Sequence, residues 1–183
     1  MSTLIAGLGN VLMGDDAIGP TLIHYLRARY EFEPDVDLLD LGTPGIDLAH
    51  HLAGRETVIL LDALNEPQST PGSVRVLHQS DLESAAIAIR GDAHTPDLSE
   101  SIRLAALHGA PPGRVVLLGI TAGSFELGEP MSPSLRQNLD RIVNAIADQL
   151  RSLRIPIQRR QESTDPLLWW NEAPTNSEAP RRQ

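Results

Sequence analysis

The sequence predicts an α/β domain built on a twisted, mostly parallel sheet with helices on both faces. Three observations predict it. Short continuous apolar runs such as VILLDAL (residues 58–64) and RVVLLGI (114–120) read as strands buried on both faces. Between such runs lie stretches whose apolar residues recur at helical spacing, and strand and helix alternate along the chain. The length of 183 residues with 41% hydrophobic content suits one core, here assigned to residues 1–155, with a polar tail over 156–183.

Taken in order, residues Thr3 to Ala6 form a first buried strand that stops at Gly7. From Ala17, Ile18, Leu22, Ile23 and Leu26 mark a helix ending near Tyr30, ahead of Pro34. Asp35 to Leu41 is a second strand, and Gly42 to Gly45 (GTPG) the turn that ends it, followed by a short helix from Ile46 to Leu52. Glu56 to Leu64 is the strongest buried strand and carries Asp62 near its carboxyl end. Ser73 to His78 alternates polar and apolar residues after Pro71 and Gly72, as an edge strand does, possibly antiparallel. A helix over 96–108, a buried strand over 114–120 and a long amphipathic helix over 132–153 complete the domain. Ser132 is the expected N-cap of that last helix, with Pro133 at its first position. Beyond Pro156 the composition turns polar and the chain is expected to be mobile. Trp169 and Trp170 interrupt it, either as a patch folded back on the domain or as a docking element for a partner.

Composition narrows the chemistry. With no cysteine there is no disulfide, thiolate metal site or thiol nucleophile, and with no lysine there is no Schiff base or P-loop. A formal net charge of -9 and scattered arginines argue against nucleic-acid binding. No run approaches the roughly 20 apolar residues that span a bilayer, and the N-terminus lacks a signal-peptide pattern. The protein is therefore expected to be cytoplasmic, with no membrane partner.

The stretch GLGNVLMGDDAIGP (residues 7–20) begins like a dinucleotide-binding loop, and Asp40 stands near where an acidic residue would hold a ribose. The third glycine of that motif falls on Leu12, so the close helix–strand approach is not encoded in that form. Asp15 and Asp16 sit where a pyrophosphate would need positive charge. A helix cap needs one carboxylate, and Asp15 suits that role as well as any functional one. Asp62, ending a buried strand, requires a partner. In a parallel sheet Asp16 and Asp62 open on one edge, and His94, in the loop GDAHTPD, can reach it. Two carboxylates and an imidazole form a set compatible with nickel, zinc or another first-row metal. His50 and His51 diverge on their helix, and His24, His78 and His108 read as surface or packing residues.

GLGNVLMGDDAIGP, followed by DLGTPGIDL (40–48), VILLDAL (58–64) and a histidine in a loop before a helix, resembles the hydrogenase maturation endopeptidase family from about Leu4 to Leu150. The resemblance implies a three-layer α/β/α sandwich with a sheet of about five strands. It implies removal of a C-terminal extension from the large-subunit precursor of a nickel–iron hydrogenase after nickel is loaded. It matches Asp16, Asp62 and His94 to the family's metal ligands, acting on nickel carried by the substrate, with no separate nucleophile named. It places Gly42, Thr43 and Gly45 beside the substrate cleft. Relatives often read S-P-H where this chain has Asp92-Ala93-His94, so Asp92 is a competing ligand or a cap. A non-catalytic nickel-binding assembly factor with the same three residues is the alternative reading.

Overall fold

The structure, a computed structural model, describes residues 2–84, 98–162 and 165–171. Its central sheet contains β1 (Thr3–Leu8), β3 (Val36–Gly42), β4 (Thr57–Leu64), β5 (Val74–His78) and β6 (Arg114–Thr121), in the order β3-β1-β4-β6-β5. The first four strands in that order are parallel, and β5 pairs antiparallel with β6 at the edge. The alternation in SVRVLH is thus the mark of an edge strand half open to solvent, and the three central strands are mostly apolar because both faces are covered.

Two helical layers cover the sheet. Ile5, Ile59, Leu61, Val116 and Leu118 pack with α1 (Ile18–Arg29) and α5 (Pro133–Ser152). Leu4, Ala6, Val58, Leu60 and Leu117 pack with α2 (Leu48–Leu52), α3 (Gln79–Ser84) and α4 (Leu98–Leu107). The architecture is the expected three-layer α/β/α sandwich. Ser132 caps α5 by accepting from Leu135 N, and Pro133 opens the helix. Among the described residues no helix is long and apolar enough to cross a membrane.

From β1 the chain moves through α1 to β3 on one side, then returns through α2 to β4 on the other side of β1. The sheet therefore reverses direction between β1 and β4, and a crevice opens at their carboxyl ends. The helix α1 starts hard against that point. A Cβ at Gly19 would lie 2.1 Å from the Leu8 carbonyl oxygen and 2.4 Å from that of Leu61, and one at Gly7 would lie 2.4 Å from the Gly19 oxygen. The close helix–strand approach missing at Leu12 is encoded by Gly7 and Gly19 instead.

A second, two-stranded antiparallel sheet joins β2 (Tyr30–Phe32) to β7 (Ile157–Arg159). This changes the reading of the segment after Pro156, expected to be mobile from its composition. Besides β7, Leu168 is buried, and Asp165 pairs with Arg29 at 2.5 Å while Asp140 of α5 pairs with the same guanidinium at 2.7 Å. Burial pushes the Arg29 pKa down, but the hydrogen bonds its guanidinium donates to Asp165 and Asp140 outweigh it and hold the group above its usual value. Trp170 meets His24 edge to face, with ring centroids 5.3 Å apart. Asp165, Leu168 and Trp170 are folded back on the domain, as in the first of the two readings of the tryptophan pair.

Arg29→Ala is expected to cost about 1 kcal/mol, since both carboxylates lie toward solvent. Limited proteolysis after Arg160 should accelerate several-fold. An unchanged cleavage rate would assign the anchoring to Leu168 and Trp170 alone.

Candidate active site at the carboxyl ends of the first and fourth strands

The opening loop leaves β1 at Leu8. Gly9 has a φ of 141°, and a Cβ there would fall 1.8 Å from the Asp16 carbonyl oxygen. Only glycine lets the two backbone segments cross so closely. Asn10 N then donates to Asp16 Oδ2 at 2.6 Å, and Leu12 N donates to Asn10 Oδ1 at 3.0 Å, closing a tight turn. The glycines and asparagine that suggest a phosphate cradle in fact seat an aspartate. Its carboxylate is 4% exposed, in the single-turn 3₁₀ helix Gly14–Ala17 that leads into α1.

The two aspartates do different work. Asp15 is fully buried and accepts four hydrogen bonds from the segment between β6 and α5. Its donors are Gly123 N at 2.7 Å, Ser124 N at 3.2 Å, Ser132 N at 2.6 Å and Ser132 Oγ at 2.9 Å. Neither aspartate caps the helix it precedes, since neither the 3₁₀ turn nor α1 has a side-chain cap. Asp15 instead binds the N-terminal cap of α5, where free N–H groups and the helix dipole favour a carboxylate. The cap expected of it on α1 is absent; the carboxylate instead holds Ser132, the residue that caps α5 more than a hundred positions away.

Asp62 lies on β4, opposite Gly119 of β6 and one residue past the Leu61–Gly7 pair with β1. By strand alternation it shares a face with Leu60 and Leu64, beneath the layer that holds α2 and α4. It is 2% exposed, and its Oδ1 accepts from Ala63 N at 2.9 Å. Asp16 and Asp62 thus stand at the carboxyl ends of the two strands that flank the crevice. His94 and Asp92 lie outside the described residues; Leu98, four positions after His94, opens α4 and packs in the layer over the Asp62 face. Among the described residues no three His, Asp or Glu side chains gather as a metal site.

Gly9 N donates to Gly42 O at 2.9 Å, so the Gly42–Gly45 turn lies against the opening loop on the same edge. Thr43 at its tip is exposed, and a Cβ on Gly45 would meet nothing within 4 Å. Asp40, the candidate ribose ligand, is committed elsewhere: Oδ1 accepts from Gly42 N at 3.1 Å, and Oδ2 meets His24 Nε2 at 3.3 Å. His24, without an acidic neighbour in sequence, thereby gains one in space. His50 lies near His108, with rings 6.2 Å apart.

The model of the hydrogenase maturation protease family matches residues 20–149. The chain is 31% identical over 158 residues to the hydrogenase expression/formation protein HoxM of Cupriavidus necator, covering 85% of this chain and 78% of that protein. It is 26% identical over 151 residues to the hydrogenase 2 maturation protease of Escherichia coli, covering 82% of this chain and 92% of that one. Its fold is similar to that of the hydrogenase maturating endopeptidase HybD from E. coli, with a TM-score of 0.76, 25% identity, and coverage of 89% of this chain and all of the other. With the doubly wound sheet and its acidic crevice, these similarities make the chain a peptidase: it belongs to the hydrogenase maturation protease family.

Proposed function

We propose that this peptidase removes the C-terminal extension from the precursor of a nickel–iron hydrogenase large subunit once nickel has been inserted. Asp16, Asp62 and His94 engage the nickel that the substrate already carries. The observation that supports this reading is the pair of almost fully buried carboxylates at the carboxyl ends of β1 and β4, where the sheet reverses direction. Two carboxylate oxygens and an imidazole nitrogen are donors that a first-row divalent ion accepts readily. A precursor without nickel lacks the cation those carboxylates bind, so recognition doubles as a test of completed loading. Hydrolysis adds water across one peptide bond, releasing the extension with a new amino terminus and leaving a carboxylate on the mature subunit.

Mass spectrometry of a large-subunit precursor mixed with this protein tests the reading. Loss of the extension's mass only when nickel is present is the expected result. An intact extension under both conditions would indicate a nickel-binding assembly factor, and cleavage of unrelated peptides without nickel a general peptidase.

A further inference from the structure

We propose that the hollow between the opening loop and residues 128–131 is a specificity subsite for one basic side chain, lysine or arginine, of the substrate polypeptide, with Trp170 as one wall. The proposal rests on the peptidase reading above. The hollow has a volume of about 120 Å³ and is lined by Val11, Leu12, Ala17, Glu129, Met131 and Trp170, with Gly128 and Pro130 between them. Cofactor and ligand pockets hold about 300–1,000 Å³. A cavity of roughly 150 Å³ accepts benzene, so this one has room for a single side chain.

Its walls are fixed in advance. Gly128 N donates to Leu12 O at 2.8 Å and Gly14 N to Glu129 O at 3.1 Å, stitching the two loops together. Ala17 and Met131 at its base belong to the buried core. The Trp170 ring is held edge to face by His24 and by Trp169, with centroids 5.3 and 5.5 Å away. Val11 and Leu12 directly follow Asn10, whose N–H holds Asp16, and Ala17 directly follows Asp16, so the hollow adjoins the segment that carries the proposed nickel-reading carboxylate. Leu12 is 56% exposed, and Leu127, adjoining Gly128, is 73% exposed, which gives the mouth an apolar surface suited to contact with a chain.

Charge selects the occupant. The Glu129 side chain makes no hydrogen bond or ion pair among the described residues. An aliphatic stem against Val11, Leu12 and Met131, ending in a cation between an indole and a carboxylate, satisfies every part of this lining. The chain's net charge of -9 draws a basic segment toward it.

The test uses the full chain labelled with ¹⁵N, in which Trp169 and Trp170 are the only indole groups. Trp170→Phe identifies the Trp170 signal. Titration with n-butylguanidinium should move that signal to saturation, with n-pentanol binding at least about tenfold more weakly and Glu129→Gln weakening n-butylguanidinium by about tenfold. In precursor cleavage, Glu129→Gln should raise KM by a similar factor with kcat within about twofold. A Trp170 signal that does not respond, equal binding of the two probes, or a Glu129→Gln variant that titrates like the parent would each overturn the subsite. Failure of the parent to cleave precursor, with the guanidinium response intact, would strike instead at the peptidase reading on which the substrate assignment rests.

Discussion

Asp16→Asn is expected to leave the fold intact and to reduce cleavage of nickel-loaded precursor by on the order of 100-fold. Loss of a group that merely supports a metal ligand costs about 10–100-fold, and Asp16 is proposed as a ligand itself, so the upper end of that range is the floor. The fold should survive because the bond from Asn10 N to Asp16 Oδ2, at 2.6 Å, needs only an acceptor. Asparagine still offers one in its side-chain oxygen. What the substitution removes is the negative charge and the second oxygen. Thermal unfolding alongside the cleavage assay separates the two effects: an unchanged Tm with lost cleavage is the expected pair of results. A variant that cleaves at the parent rate would remove Asp16 from the site.

Asp15→Ala is expected to do the reverse, acting first on stability. The carboxylate receives three backbone N–H groups and one hydroxyl, all from residues 123–132, and is itself fully buried. Alanine leaves those donors without their acceptor. At about 1–3 kcal/mol for each buried group left unsatisfied, and with partial access of water to the loop, the loss should total about 3–5 kcal/mol. For a chain of this length that lowers Tm by roughly 10 °C. Asp15→Asn should recover little, because its amide NH₂ would confront N–H donors. A Tm within about 2 °C of the parent would show that the loop finds other acceptors at little cost.

The contrast between these neighbours bears on what a sequence can reveal. Strand and helix order was legible because buried parallel strands leave uninterrupted apolar runs, and the edge strand β5 was legible because one of its faces is open. That the β1 loop and the carboxyl end of β4 open on one edge followed from that order, since parallel strands end on the same side. The division of labour between Asp15 and Asp16 did not follow. Asp15 is bound by residues 108 to 117 positions away, a separation that no local pattern records. Helix-capping rules suggested a cap on α1, which has none; Asp15 instead holds Ser132, the cap of α5.

Two further features were hidden for related reasons. β2 and β7 are three residues each, too short to display a period, and they pair segments more than a hundred residues apart. Composition averaged over the tail does not show that Ile157 pairs with Phe32, that Asp165 meets Arg29, that Leu168 is buried or that Trp170 meets His24. The Glu129 hollow combines three segments, and neither Leu12 nor Trp170 announces the other in sequence. The glycines show the opposite case. The opening loop's glycines were visible in its likeness to a dinucleotide-binding loop, but only the packing shows that Gly9 admits the backbone of Asp16 and that Gly19 admits the ends of β1 and β4.

The central claim is that the paired carboxylates at the ends of β1 and β4 read nickel on the substrate. Affinity for the precursor tests it most directly, measured by calorimetry with nickel-free and nickel-loaded forms and with the scissile bond kept intact by low temperature and short times. The parent should bind the loaded form at least about tenfold more tightly, a difference of 1.4 kcal/mol, and Asp16→Asn and Asp62→Asn should each abolish that preference while leaving affinity for the nickel-free form unchanged. Equal affinity of the parent for both forms, or a nickel preference that survives both substitutions, would contradict the account.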